Sequence, residues 1–188
     1  IRFAVIYIRL DYEAIVAALE KLHDLNKKSC KSKDQEHSRD ALRILNHIRN
    51  KQFCLHLSSL SDVYDMFGLF ANEVQKVNVL PHERYDNAIN VLYRMIDMKK
   101  HIEYKDCVKN ENKACIWPRY HKDLEELTNN NTYQKASVIN NRPKNMYQSR
   151  LSVLSNDIEI QNDVMNQVKD DLFILIFRLE SDLRKDVF

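Results

Sequence analysis

The sequence predicts an all-α fold, a bundle of about five to six long helices, and three observations lead to this prediction. The 188 residues include one Gly and three Pro, where average usage would give about twenty-two of the two together. Hydrophobic residues make up 44% of the chain and charged residues 30%, which suits one core with a solvated helical surface. Apolar residues recur at steps of three and four over long segments, which is the period of an amphipathic helix.

The shortage of glycine also excludes several classes of protein. A Rossmann dinucleotide fingerprint, a P-loop and a nucleophile elbow each need several glycines at fixed spacing. Gly68 is the single glycine of this chain and supplies none of these motifs. A β-sandwich is excluded too, because it needs a turn signal about every ten residues.

The first helix is expected over most of residues 3 to 26, although the first eight residues would also fit a buried strand. Its apolar stripe consists of Ile1, Val5, Ile8, Tyr12, Ile15, Leu19 and Leu22. The stretch KKSCKSKDQEHS breaks the period and predicts a loop. A second helix is expected from near Asp34, where helical spacing returns at Leu42, Leu45 and Ile48.

Two further helices follow. The third has its stripe at Phe53, Leu57, Leu60, Tyr64, Phe67, Ala71 and Val74. Gly68 lies inside it and costs about 1 kcal/mol relative to Ala; either a closely crossing helix offsets this cost or the chain tolerates it. Pro81 closes the next connection. A fourth helix is expected from about His82, with Tyr85, Ile89, Leu92 and Ile96 on its inner face.

The period is lost between Lys99 and Leu127, where we expect Pro118 to kink or end any helix. Residues 128–150 are polar and basic without an apolar period, which predicts a mobile connector. We therefore divide one domain into a bundle (1–127), a connector (128–150) and a C-terminal helix (151–188).

The C-terminal helix is expected from about Asp157 to Lys185. Its stripe consists of Val164, Val168, Leu172, Leu175, Leu179 and Leu183. Apolar residues also occupy its other sides at Phe173, Ile174, Ile176 and Phe177. A helix that is apolar all round lies at the centre of a bundle or against a partner.

The net charge is only +2, but the charges are unevenly distributed. Residues 27 to 51 carry eight bases and three acids, residues 129–150 four bases and no acid, and residues 157–188 four bases and eight acids. The two basic segments are either solvated connectors or contacts for phosphate groups. The candidate nucleic-acid-binding residues are Lys27, Lys28, Lys31, Lys33, Lys135, Arg142, Lys144 and Arg150.

One group of residues has the side chains of a zinc site. His101, Cys107, Cys115 and His121 are spaced as His-x5-Cys-x7-Cys-x5-His. The residue types suit structural zinc, but the spacing matches none of the common short patterns. Four unrelated side chains are therefore the favoured interpretation, zinc is the alternative, and no cofactor is expected.

Paired carboxylates are numerous, but none is attached to a Gly turn, a His partner or an apolar pocket that would tune its pKa. We expect them on solvated faces. They are Asp62 and Asp65, Glu125 and Glu126, and Asp170 and Asp171. The sequence therefore predicts no active site within this chain.

The opening residues lack the pattern of a signal peptide, because Arg2 and Arg9 interrupt them and no small-residue cleavage site follows. No segment approaches the roughly 20 apolar residues of a membrane span. We therefore expect no membrane partner and an intracellular location. Because the chain begins at Ile1, we also expect it to be a piece of a longer protein.

The order of the elements resembles the helical insertion of hAT-superfamily transposases and their domesticated relatives. The matching letters fall in the first three helices: Tyr12, Ala14, Ile15 and Leu19; Ser32, Lys33, Asp34, Ala41, Leu42 and Leu45; Phe53, Leu57, Leu60, Asp62, Val63, Phe67, Phe70 and Gln75. The RPKN stretch and the following long helix resemble the segment that leads back to the catalytic core in that family.

The resemblance implies a parent protein with an RNase H-like core and three metal-binding carboxylates, which would lie outside this chain. It also implies a nuclear location, contact with double-stranded DNA and assembly into a homo-oligomer, with no catalysis by this segment. The alternative is a helical protein-interaction module that does not bind DNA. A small helical enzyme is the least favoured interpretation, because no group of residues supports one.

Overall fold

The structure, a computed structural model, describes residues 2–75, 80–100, 116–139 and 150–185. The all-α prediction is confirmed, with seven helices and one short hairpin in these ranges. The helices are α1 (Arg2–Leu10), α2 (Tyr12–Lys27), α3 (Ser32–Ile48), α4 (Lys51–Val74), α5 (Pro81–Lys100), α6 (Pro118–Asn130) and α7 (Arg150–Lys185). The hairpin pairs β1 (Thr132–Tyr133) with β2 (Ala136–Ser137).

The first predicted helix is present as two helices that meet at Asp11. The backbone N–H of Asp11 still donates to the Tyr7 carbonyl (2.8 Å), and the Ile15 N–H donates to the Asp11 carbonyl (2.9 Å). The i to i−4 ladder therefore continues through the junction, while α1 packs on α4 and α2 packs mainly on α3. The opening residues form a helix and not the alternative strand.

The loop between α2 and α3 is shorter than predicted, because α3 already begins at Ser32. Ser29 organises this turn. Its hydroxyl donates to Asp34 (2.6 Å) and accepts from the Lys31 N–H (3.2 Å), and its carbonyl accepts from the Gln35 side chain (3.1 Å). These bonds hold the turn together, while the N-cap residue Lys31 makes no side-chain capping bond.

The core surrounds α4, which packs against α1, α5, α6 and α7. Between residues 54 and 63 this helix is buried on more than one side, and its buried residues include Ser58, Ser59, Ser61 and Asp62. Gly68 is also buried. A single apolar stripe therefore understates how much of α4 the bundle covers.

Proline begins both α5 and α6. Pro81 is the first residue of α5, and the Glu83 carboxylate accepts from the Leu80 N–H (3.2 Å), as in half of a capping box. Pro118 occupies the first turn of α6. The expectation that Pro118 would kink or end a helix is therefore wrong: proline lacks an N–H that this first turn would leave unpaired.

Residues 131–139 differ from the expected mobile connector, because they form a hairpin held against the bundle. Tyr133, Ala136 and Val138 are buried. The Ile139 N–H donates to the Arg49 carbonyl at the junction between α3 and α4 (3.0 Å). Three apolar side chains on so short a hairpin are too few to create a period in the sequence, but they suffice to anchor it.

The helix α7 begins seven residues before the predicted start and packs on α4 and α5. Its buried residues are Val164, Val168, Leu172 and Ile176. The other face carries exposed Phe173, Ile174 and Phe177, so this helix is not enclosed at the centre of the bundle. None of the helices that the structure describes is long and apolar enough to cross a membrane.

Candidate functional site

The pair α2 and α3 forms an arm with a basic end, which we call the basic tip and define as residues 27–33. Lys27, Lys28, Lys31 and Lys33 are all exposed there, and the segment contains no acid. The nearest following carboxylate, Asp34, is half-buried and accepts a hydrogen bond from Ser29. The structure thus brings together four of the predicted nucleic-acid-binding residues.

The arm extends away from the core. In α2 the buried residues are Tyr12 and Val16, both in its first two turns. At a rise of about 1.5 Å per residue, Lys27 lies about 22 Å along the helix from Tyr12. The Ser38 hydroxyl donates to the His23 carbonyl (3.1 Å) and joins the two helices in the outer part of the arm.

The other predicted bases do not join the basic tip. Lys135 is exposed in the turn of the β-hairpin with a φ of 68°, and its backbone N–H donates to Glu126 on α6 (3.4 Å). Arg150 is the first residue of α7. Arg142 and Lys144 lie outside the described residues.

Of the four zinc candidates, His101, Cys107 and Cys115 lie outside the described residues. His121 is half-buried on α6, with its ring 5.5 Å from that of Tyr120 in an edge-on arrangement. Burial lowers the pKa of His121. Across the part of the chain that the structure describes, no three His, Cys, Asp or Glu side chains are arranged to hold a metal ion.

A buried ion pair joins α1 to α6. The Arg9 guanidinium donates from Nε (3.0 Å) and from Nη2 (2.8 and 2.9 Å) to the carboxylate of Asp123, whose side chain is fully buried. Asp123 also accepts from the Ser58 hydroxyl (2.5 Å) and the Gln134 side chain (3.0 Å). The carboxylate on α6 is therefore paired by α1, α4 and the hairpin, and its role is structural.

The Tyr133 hydroxyl, 2.9 Å from that of Ser58, extends this network to Tyr12, whose ring meets the Tyr133 ring edge-on at 4.8 Å. The Tyr12 hydroxyl donates to the Ile48 carbonyl (2.9 Å) and lies 3.5 Å from the Cys54 sulfur. Burial raises the pKa of the Cys54 thiol to about 12. Cys54 is 0% exposed and packs as a core residue.

A second buried carboxylate caps α6. Asp62 on α4 accepts from the backbone N–H groups of Arg119 (3.2 Å) and Tyr120 (3.0 Å). The N-cap residue Trp117 makes no side-chain capping bond of its own, so the cap comes from another helix. The solvated position expected for Asp62 is wrong, because the residue is 4% exposed.

Burial raises the pKa of Asp62 to about 6, and the N–H donors of Tyr120 and Arg119 oppose the rise. The Arg119 guanidinium forms ion pairs with both Asp62 and Asp65. A carboxylic acid that titrates near neutral pH suits proton transfer. Here both oxygens are already occupied by the start of α6, so the arrangement serves as a cap.

A cleft of about 470 Å³ lies beside this cap, between α4, α5 and α6. Its lining mixes apolar Met66, Leu69 and Met98 with charged Arg94 and Asp97. One sequence signal could have indicated the cap on α6. Pro118 begins this helix, and the preceding residue, Trp117, has no side-chain oxygen with which to cap it. That signal says a cap is needed, but it does not say which helix supplies one.

Comparison of the chain with protein-family models, with curated proteins and with solved structures gives no match.

Proposed function

We propose that this chain is a non-catalytic helical domain that contacts duplex DNA through the basic tip, as the helical insertion of a hAT-type transposase-like protein. The observation that carries the proposal is the set of four exposed lysines at the end of the α2–α3 arm. A nuclear location and a parent protein with its catalytic carboxylates elsewhere belong to the same proposal and rest on the resemblance of the sequence.

Four lysines favour contact with the phosphate backbone of DNA over recognition of its bases. Lysine binds phosphate as a point charge without directional readout. Each phosphate that a lysine neutralises releases counterions, so the affinity falls with salt. The proposed contact is therefore sensitive to salt and insensitive to DNA sequence.

The test is the anisotropy of a labelled duplex of about 20 base pairs, titrated with the 188-residue chain at several salt concentrations. If Lys27, Lys28, Lys31 and Lys33 each neutralise one phosphate, log K against log[salt] has a slope of about −3.6. The affinity then falls about 150-fold between about 50 and about 200 mM salt.

A charge-matched pair of variants separates the basic tip from net charge. Lys28→Gln with Lys31→Gln reduces the slope by about 1.8 and weakens binding to all duplexes alike. Arg94→Gln with Lys122→Gln removes the same charge from exposed positions on α5 and α6 and leaves the slope unchanged. Absence of binding at about 50 mM salt, or equal effects of the two variants, would refute the proposal.

A further inference from the structure

The face of α7 that points away from the bundle carries an apolar patch, which we call the α7 patch and define as Phe173, Ile174 and Phe177. These side chains are 56%, 51% and 64% exposed. The buried stripe of the same helix lies on the opposite side, at Val168, Leu172 and Ile176 among others. Among the residues that the structure describes, the α7 patch therefore takes no part in the core.

We propose that the α7 patch binds the α7 patch of a second copy of this chain, with the two helices antiparallel across a two-fold axis near Ile174. A two-fold interface requires a surface that is complementary to itself. With the axis near Ile174, residues 163–170 of one copy face residues 178–185 of the other. The charges along α7 meet the requirement, because the first segment carries two acids and one base and the second three bases and two acids.

An antiparallel pair brings the acidic side of the patch in one copy beside the basic side of the patch in the other. Asp170 and Arg178 are exposed and lie four residues before and four residues after Ile174. Within one helix they are about 12 Å apart along the axis, which is too far for a direct ion pair. A parallel pair would instead place Asp170 beside Asp170, and like charges at an interface oppose binding.

The Lys99 ammonium lies 4.3 Å from the centre of the Phe173 ring. This contact places a further positive charge at the edge of the α7 patch and fixes one face of the ring. Phe173 can therefore offer its remaining exposed surface without reorganising.

The area of the α7 patch sets the expected strength of the dimer. Taking about 200 Å² for each large side chain, its exposed parts amount to roughly 300 Å² per copy. Two copies with their flanking polar residues then bury less than about 1,200 Å², the range of weak and transient complexes. We expect a dimer that forms and dissociates with concentration, with a Kd of tens of micromolar.

The test is analytical ultracentrifugation of the 188-residue chain from about 5 to about 500 µM, a range that brackets this Kd. We expect the mean mass to rise from monomer to dimer. Ile174→Lys raises Kd about tenfold or more, because it buries an ammonium at the two-fold axis. Ile158→Lys makes the same substitution at an exposed position of α7 (54%) and leaves Kd unchanged, which controls for folding and net charge.

A charge exchange tests the antiparallel arrangement. Asp170→Arg and Arg178→Asp each weaken the dimer, and the double variant restores it, since every contact then has its charges reversed. A chain that stays monomeric at about 500 µM, or a dimer that Ile174→Lys leaves unchanged, overturns the proposal. Absence of rescue by the double variant overturns the antiparallel arrangement.

This inference does not depend on DNA binding. The α7 patch and the basic tip lie on different helices, and Lys28→Gln with Lys31→Gln should leave the dimer unchanged. Failure of the DNA experiment and failure of the dimer experiment are therefore distinguishable.

Discussion

Replacing Asp123 by Asn should destabilise the chain by about 3 to 5 kcal/mol, which is a large part of the 5 to 15 kcal/mol typical of a domain. The substitution keeps the shape of the side chain and removes its charge. Asp123 is completely buried, and its partner Arg9 is 8% exposed. The variant therefore leaves the guanidinium buried without an anion.

The magnitude follows from the hydrogen bonds at this carboxylate. Arg9 donates to both carboxylate oxygens, and Ser58 and Gln134 each donate to one of them. An Asn side chain retains one acceptor oxygen and turns an NH2 group toward donors. Bonds to charged groups contribute about 1.5 to 3 kcal/mol each, but they are not additive within one network. The loss of folding free energy is therefore better taken as the cost of leaving the Arg9 charge buried without its partner.

The assay is urea unfolding followed by far-UV circular dichroism and by fluorescence. Trp117 is the single tryptophan of the chain and is 1% exposed, so its emission reports on unfolding of the core. With an m-value of about 2 to 3 kcal/mol/M, the midpoint should fall by about 1 to 2 M. The slope itself should not change.

Glu125→Gln is the matched control, because Glu125 is exposed on the same helix two residues away; its effect should stay within about 0.5 kcal/mol. A cycle of Arg9→Met, Asp123→Asn and the double variant should give a coupling of at least about 2 kcal/mol. A loss below about 1 kcal/mol for Asp123→Asn, or additive single effects, would refute a structural role for the pair.

Two further predictions concern the cap of α6 and the hairpin. Because the pKa of Asp62 is about 6 in the folded chain against an ordinary 3.8, the folded state holds this proton more tightly. Stability relative to Asp62→Asn should therefore fall by about 2 kcal/mol as pH rises from about 4 to about 6. Urea unfolding of both proteins across this range measures the difference, and a difference independent of pH would contradict the raised pKa. Tyr133→Phe removes the hydroxyl that meets Ser58 and should cost about 1 kcal/mol in the same assay. Tyr93→Phe, at a side chain 61% exposed, should cost less than about 0.5 kcal/mol, and equal costs for the two variants would argue against the buried bond.

The helices were predictable from the sequence because helix formation is local. Apolar steps of three and four located α4 and α5 to within about two residues. The same reasoning placed the lysines of the basic tip in a loop between two helices. The structure has Lys28 and Lys31 between α2 and α3, and Lys27 and Lys33 in the adjoining helix ends, and all four are exposed. Their contact with DNA stays a prediction.

Local patterns failed wherever the outcome depends on distant residues. The start of α6 depends on a cap from Asp62, which accepts from the N–H of Arg119, 57 residues away along the chain. The hairpin around Tyr133 is held by Ser58, which lies 75 residues away.

The sequence by itself determined the all-α class, the places of most helices and the apolar composition of α7. Only the tertiary structure decided which charges are buried and which apolar side chains are not. Arg9 and Asp123 are separated by 114 residues, and Phe173 is exposed although its neighbour Leu172 is buried. The physical reason is that propensity and period act over a few residues, whereas burial is set by whichever helix packs against a given face.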